Sequence, residues 1–322
     1  MFSTWTRGFW IGILAMAVWL TAVLPTRAGH ELFAQSATAA ALFACPMHPD
    51  VTSTTPGKCS RCGMTLVGMD PFDAREYLVD LATTPKAVNA GEPFTMRLTV
   101  REPVSRAVTR EFATVHDKRF HLFVISQDLE HYQHIHPEQQ ADGSWTLPVT
   151  VPKPGYYRVY ADFLPAGGAP QVVALPLVTA GFRGDLATSA AKLMPDRNLT
   201  TDVGSMKVSL ALPGSPLVAG REEMFAFELS DRRSGAPVSD LEPYLAAWGH
   251  TLLLSEDTLS VVHAHPVELV PPDQAEPRGG PVITFKALFP KAGHYRLWTQ
   301  MKRRGELVTA VFTVDVRSPA EQ

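Results

Sequence analysis

The 322-residue sequence predicts an all-β protein in three parts, and three observations carry that expectation. Every cysteine falls between Cys45 and Cys62. The chain beyond residue 75 repeats itself at an offset of 129 residues. Within each copy, short runs rich in Val, Leu, Phe, Tyr and Thr are separated by Gly, Pro, Asp and Ser; examples are Phe94 to Val100, Phe120 to Ile125, Tyr156 to Tyr160 and Val172 to Leu177. No stretch there supports a long amphipathic helix. Strands at this spacing, in two units of roughly 100–110 residues, read as tandem antiparallel β-sandwiches of immunoglobulin or cupredoxin type behind a small metal ribbon.

The N-terminus is of another kind. Arg7 precedes a 16-residue apolar run, Phe9 to Leu24, followed by Pro25 and small residues. That is the layout of a secretory signal over residues 1–28, with Thr26-Arg27-Ala28 as the cleavage site. A membrane span needs about 20 apolar residues, which makes a retained N-terminal anchor the alternative. The protein is therefore expected to be exported, periplasmic or extracellular, and to meet a membrane only through such an anchor. Leu42-Phe43-Ala44-Cys45 has the outline of a lipoprotein box, but Phe43 interrupts it and it lies far from the apolar run. The composition, 45% apolar and 19% charged with net charge −3, is that of a globular chain, and with no basic run there is no sign of a nucleic-acid partner.

Residues 43–70 carry the chemistry that spacing makes most explicit. Cys45/His48 and Cys59/Cys62 are two knuckles of the form ligand-x-x-ligand, whose spacer lets both side chains of a knuckle converge on one ion. Gly63 follows the second knuckle, where a positive φ lets backbone N–H groups face a thiolate. Pro56-Gly57 marks a turn between the knuckles. A ribbon this small cannot fold on apolar burial and is expected to need its ion. The competing use of these cysteines, a Cys59–Cys62 disulfide, leaves Cys45 over. Three thiolates and an imidazole suit Zn²⁺, and the neighbouring thioethers of Met47 and Met64 also suit Cu(I).

The stretch Phe43-Ala-Cys-Pro-Met-His-Pro-Asp-Val, continued by Pro-Gly-Lys-Cys-Ser-Arg-Cys-Gly-Met-Thr-Leu-Val67, resembles the heavy-metal-binding domain found beside bacterial metal-translocating ATPases and on adaptor subunits of metal-efflux pumps. The resemblance implies metal binding at Cys45, His48, Cys59 and Cys62 and a metal-efflux system as a partner. It implies no transport activity, because neither multiple apolar spans nor a phosphorylation motif accompanies it.

The repeat shows in short phrases. Ala90-Gly91 returns as Ala219-Gly220, His121-Leu-Phe-Val-Ile-Ser126-Gln-Asp128 as His250-Thr-Leu-Leu-Leu-Ser255-Glu-Asp257, and His134-Ile-His136-Pro137 as His263-Ala-His265-Pro266. Pro152-Lys-Pro-Gly155-Tyr-Tyr157-Arg158 matches Pro290-Lys-Ala-Gly293-His-Tyr295-Arg296, after nine additional residues in the second copy. The sandwiches are expected over 75–182 and 204–318, joined by a linker at 183–203. These phrases also look like those of poorly characterised exported bacterial proteins, a likeness that supports a secreted sandwich and says nothing of ligands.

Each copy places a histidine thirteen residues before a His-x-His-Pro, giving His121, His134, His136 and His250, His263, His265. On a strand, residues i and i+2 share a face, so each His-x-His points one way. If the runs pair as hairpins about Asp128 and Asp257, half of the registers put the earlier histidine on that same face, making a three-histidine site for Cu²⁺ or Zn²⁺. The competing reading is that the histidines brace the loop through hydrogen bonds. His116, His131 and His294 stand outside the pattern.

These readings converge on an exported heavy-metal-binding protein, handling, buffering, delivering or sensing copper or zinc. It is not expected to be an enzyme: no Ser-His-Asp set, paired carboxylates or phosphate loop stands out. Two other classes stay open. One is a tandem-sandwich scaffold or adhesion protein with a structural zinc ribbon, the other a copper-dependent oxidoreductase working at the histidines.

Overall fold

A strand with one face on a core and one toward water alternates, and the first repeat does so strictly over Phe94–Arg101, where Phe94, Met96, Leu98 and Val100 are buried and Thr95 and Arg97 exposed. The computed structural model describes residues 42–46, 48–61, 63–186, 189–213, 216–271 and 273–321. The expected signal or anchor, Met47 and Cys62 lie outside these residues. Among the described residues no helix is long and apolar enough to cross a membrane, and the one helical element is a 3₁₀ turn at Pro319–Glu321.

The ribbon is a three-stranded antiparallel sheet of β1 (Phe43–Cys45), β2 (His48–Ser53) and β3 (Val67–Gly68), with β1 in the middle. The first repeat contains β4 (Leu78–Thr84), β5 (Phe94–Arg101), β6 (Phe120–Ser126), β7 (Tyr132–Ile135), β8 (Glu138–Gln139), β9 (Trp145–Val149), β10 (Tyr156–Phe163) and β11 (Gln171–Val178). They form two sheets, β4-β5-β9-β8 and β11-β10-β6-β7, closed over an aromatic and aliphatic core. The second repeat contains β12 (Thr200–Val203), β13 (Met206–Ala211), β14 (Leu217–Val218), β15 (Glu222–Asp231), β16 (Leu241–Glu242), β17 (His250–Ser255), β18 (Val261–Ala264), β19 (Val282–Leu288), β20 (Gly293–Arg303) and β21 (Glu306–Arg317). Its sheets are β12-β13-β15-β19 and β14-β21-β20-β17-β18, with β16 beside β20.

The phrases common to both copies are the ones that set backbone geometry. Tyr157 donates its hydroxyl to the Lys153 carbonyl at 2.7 Å, and Tyr295 does the same to Lys291 at 2.9 Å, which fixes the corner entering β10 and β20. Asp128 accepts from the Ser126 hydroxyl and from the Glu130 amide, and Asp257 accepts from Ser255 and the Leu259 amide, bracing each hairpin turn. Lys153 and Lys291 close these turns by ion pairs to Asp128 and Asp257.

β6 and β17 are buried along their whole length, on both faces. One face of β6, with Phe120, Leu122 and Val124, enters its own core, and Leu253 of β17 does likewise. The opposite faces meet each other. Phe123, Ile125, Leu129 and Tyr160 pack with Leu252, Leu254 and Trp298 in one cluster, with Tyr132 stacked on Trp298 at 5.0 Å. The contact is pseudo-symmetric, since Phe123 corresponds to Leu252, Ile125 to Leu254 and Tyr160 to Trp298 in the repeat.

The stretch expected as a linker is part of this structure. Ala191 and Leu193 are buried in the inter-repeat cluster, and the Leu193 amide donates to Glu256 at 2.8 Å. β12 pairs with β13, so the second repeat begins near residue 200 instead of 204. As a short edge strand, it carries none of the alternation that marks the others.

The repeats are therefore expected to unfold as one unit. Trp298→Ala removes an indole that is 2% exposed, at the interface rather than inside either sandwich, and should cost about 3–5 kcal/mol. Denaturant unfolding followed by near- and far-UV circular dichroism checks this: a lowered midpoint with a single transition is expected, whereas an unchanged midpoint would show that the interface contributes nothing.

Candidate metal centres

In the ribbon, the register between β1 and β2 shifts at Ala44/Cys45 so that Cys45 pairs with His48. Cys59 begins a tight turn in which Gly63 donates to the Cys59 carbonyl at 2.7 Å and Cys59 donates to the Met64 carbonyl at 2.7 Å. Gly63 has φ +67°, a turn conformation that favours glycine, and a Cβ there would stand 2.3 Å from Leu269 Cδ1 and displace that exposed side chain. These two devices bring His48 Nδ1 within 3.7 Å of both Cys45 Sγ and Cys59 Sγ. Cys45 and Cys59 are buried. Three donor atoms at such spacing fit one tetrahedral ion, and Cys62, the fourth expected ligand, lies outside the described residues.

The histidines arise from hairpin register. Leu122 pairs with Ile135 and Phe123 with His134, and the second copy repeats the registration as Leu252 with His263. This puts His121, His134 and His136 on one face of the first repeat, and His250, His263 and His265 on one face of the second. That face is the one each repeat turns toward the other. The triads are thus parts of one cluster, not sites on separate domains: the His121 and His263 rings are 5.3 Å apart and those of His134 and His263 are 5.5 Å apart.

Hydrogen bonds fix the tautomers. His121 Nε2 lies 3.0 Å from the Val115 carbonyl and His250 Nε2 lies 2.9 Å from the Tyr244 carbonyl. A carbonyl only accepts, so these Nε2 atoms carry the protons and Nδ1 presents a lone pair. His134 Nδ1 donates to Gln300 Oε1 at 2.8 Å and His263 Nδ1 to Asp162 Oδ2 at 2.8 Å, which leaves Nε2 of each as the acceptor. The exposed lone pairs then face each other: His121 Nδ1 to His134 Nε2 at 3.1 Å, and His250 Nδ1 to His263 Nε2 at 3.3 Å. His136 Nε2 is 3.2 Å from the same His121 Nδ1.

The sequence reading left His116 outside the repeated pattern, and its counterpart in the second copy is Leu245. The turns match, with His116 and Asp117, and Leu245 and Ala246, all at positive φ. The His116 ring crosses to the second repeat, stacks on His265 at 3.5 Å, and offers a donor atom within 4.8 Å of donors on His250 and His265. Asp162 and Gln300 went unnoticed as well. They are equivalent positions on β10 and β20, and only the docking shows that each serves the histidine of the other repeat. His131 packs against Tyr157, and His294 pairs with Glu256 and Asp315, both away from the cluster.

Burial disfavours charge on six of these rings. It holds His116 and His136 down at about 3, with neighbouring imidazoles adding to the effect. His134, His250, His263 and His265 are held well below the ordinary imidazole range for the same reason. Asp162 is raised to about 6 by burial. His116 Nε2 and both ring nitrogens of His265 are buried without a hydrogen-bond partner.

Two cavities lead from the ribbon to this cluster. One, of about 260 Å³, is lined by His48, Arg61 and Met64 of the ribbon together with His116, His263 and His265. The other, of about 440 Å³, reaches from Pro46 and Pro49 to His121, Asp162 and His263.

Fold and donors together define a tandem β-sandwich protein carrying a heavy-metal-binding ribbon. The chain belongs to the family described as Domain of unknown function (DUF8832), which it matches twice, over residues 73–179 and 201–318. Residues 42–69 match the Heavy metal binding domain. Over 49 residues the chain is 45% identical to a copper-transporting P-type ATPase of Rhizobium leguminosarum bv. viciae, a match that covers 15% of this chain and 6% of that protein. Among solved structures it is similar to the Escherichia coli adhesin FdeC, with 16% identity, 79% of this chain and 68% of that one covered, and a TM-score of 0.24. It is also similar to fibronectin(III)-like modules of Clostridium thermocellum CbhA, with 13% identity, 76% and 97% covered, and a TM-score of 0.21. Likenesses at this level say nothing of function.

Acid should weaken the metal-free fold. A buried neutral histidine binds no proton where the unfolded chain does, so its stability contribution is complete above pH 6.5 and is lost as pH falls toward its folded value, about 3 for His116 and His136. Asp162 acts in the opposite sense between about 6 and 3.8, but it is one group against several. Unfolding of chelator-treated protein should become easier by at least about 2 kcal/mol between pH 7.5 and pH 5, the amount one such histidine supplies. A pH-independent midpoint across that window would contradict the burial of uncharged His116 and His136.

Proposed function

We propose that the protein is an exported metal-handling protein rather than an enzyme, whose ribbon captures a thiophilic ion, Cu(I) foremost and Zn²⁺ as the alternative. The convergence of Cys45, His48 and Cys59 donors on one point carries this reading. Two thiolates and an imidazole favour soft or borderline ions over Mg²⁺ or Ca²⁺. The match of this stretch to a copper-transporting ATPase and the thioether of Met64 in the cavity beside His48 support copper. A ribbon joined by that cavity to a histidine cluster suits a protein that buffers or passes on an ion, with a metal-efflux system as the source or destination. The apolar run at Phe9 to Leu24 supports export.

Elemental analysis of the full chain purified from copper- and zinc-supplemented cells tests the ribbon. Cys45→Ser/Cys59→Ser should lose about one equivalent of metal and resistance to a Cu(I)-specific chelator, while the β-sheet circular dichroism is retained. Unchanged metal content would overturn the assignment. Fractionation should place the full chain outside the cytoplasm, and recovery of it in the cytosol would overturn the export reading.

A further inference from the structure

We propose that the histidines at the inter-repeat contact form a single two-ion centre for Cu²⁺ or Zn²⁺, one ion held by His121, His134 and His136 and the other by His116, His250 and His265 together with His263, whose Nε2 lies against His250 Nδ1. The assignment rests on where the protons are. The outer nitrogens of His121 and His250 face carbonyl oxygens and those of His134 and His263 face Gln300 and Asp162, so the inner nitrogens meet lone pair to lone pair at 3.1 and 3.3 Å. Two lone pairs at that separation repel unless a cation lies between them. A metal ion placed there gains several donors at once. His265, with both nitrogens buried and unpaired, and His116 Nε2 are the further donors such an ion would recruit.

The outer-shell bonds are crossed between the repeats. Gln300 of the second repeat orients His134 of the first, and Asp162 of the first orients His263 of the second. Such partners fix the ring and its tautomer, and their loss typically weakens metal binding by 10–100-fold. Each ion therefore depends on the docking of the other repeat. The centre is also unequal, because His116 has no counterpart in the second copy and adds a donor to one ion alone. The carboxylate of Asp162 gives that same ion the more negative surroundings.

The test uses the full chain with the ribbon disabled by Cys45→Ser/Cys59→Ser, so that its outcome is independent of the ribbon reading. Metal-free protein titrated with Cu²⁺ or Zn²⁺ should take up two equivalents, and with two Cu²⁺ bound, electron paramagnetic resonance should show the half-field transition of a spin-coupled pair. Asp162→Asn should weaken the second-repeat ion by about 10–100-fold, and Gln300→Ala should do the same to the first-repeat ion. His134→Gln/His136→Gln and His263→Gln/His265→Gln, each checked for fold by circular dichroism, identify which ion is lost. Failure of the folded protein to bind would overturn the proposal. So would two magnetically isolated Cu²⁺ ions, or an Asp162→Asn effect confined to the first-repeat ion.

Discussion

The packing of the β6–β7 face against the β17–β18 face is the contact on which the rest of the molecule depends. It buries β6 and β17 on both sides, draws Ala191 and Leu193 of the connecting segment into the same cluster, and buries His121, His134 and His250 with much of the rest of the histidine cluster. An imidazole in water needs no particular partner. In this interface a ring nitrogen needs an acceptor, a donor or a cation, and for most of the rings burial disfavours the charged form.

Duplication explains how so polar an interface can be satisfied. The Ser-x-Asp turns set identical registers in both hairpins, and the αL turns at His116-Asp117 and Leu245-Ala246 aim the Val115 and Tyr244 carbonyls at His121 and His250. A pseudo-symmetric pairing then lets each repeat supply what the other lacks, Gln300 for His134 and Asp162 for His263. The departures from symmetry, Asp162 against Gln300 and His116 against Leu245, fall at the rings. They alter the donors and the charge around them while leaving the apolar packing of Phe123, Ile125 and Tyr160 on Leu252, Leu254 and Trp298 in place.

The ribbon brings a different chemistry to the same place. Its thiolates are soft donors, Cys45 from β1 and Cys59 from the turn that places Gly63 near Leu269, joined by the imidazole of His48, while the cluster behind it offers only imidazoles. A thiolate set prefers Cu(I) and an imidazole set prefers Cu²⁺ or Zn²⁺. The cavity shared by His48, Met64, His116 and His265 places the two preferences side by side.

Local chemistry was legible in the sequence wherever spacing alone decides it: the strand runs, the repeat, the convergence of Cys45, His48 and Cys59, the positive φ of Gly63, and the shared face of each His-x-His, because periodicity along one chain settles which side chains point together. The hairpin register was legible as a choice between two, and the turn bonds of Asp128 and Asp257 made that choice. Hidden from the sequence were the meeting of the two triads, the part of His116, and the crossed service of Asp162 and Gln300. Those depend on the docking of surfaces more than a hundred residues apart in the chain, which no local spacing encodes. The segment from Arg183 to Val203, expected as a linker, hid its packing for the same reason, since Ala191 and Leu193 are held by an interface that exists only once both repeats have folded.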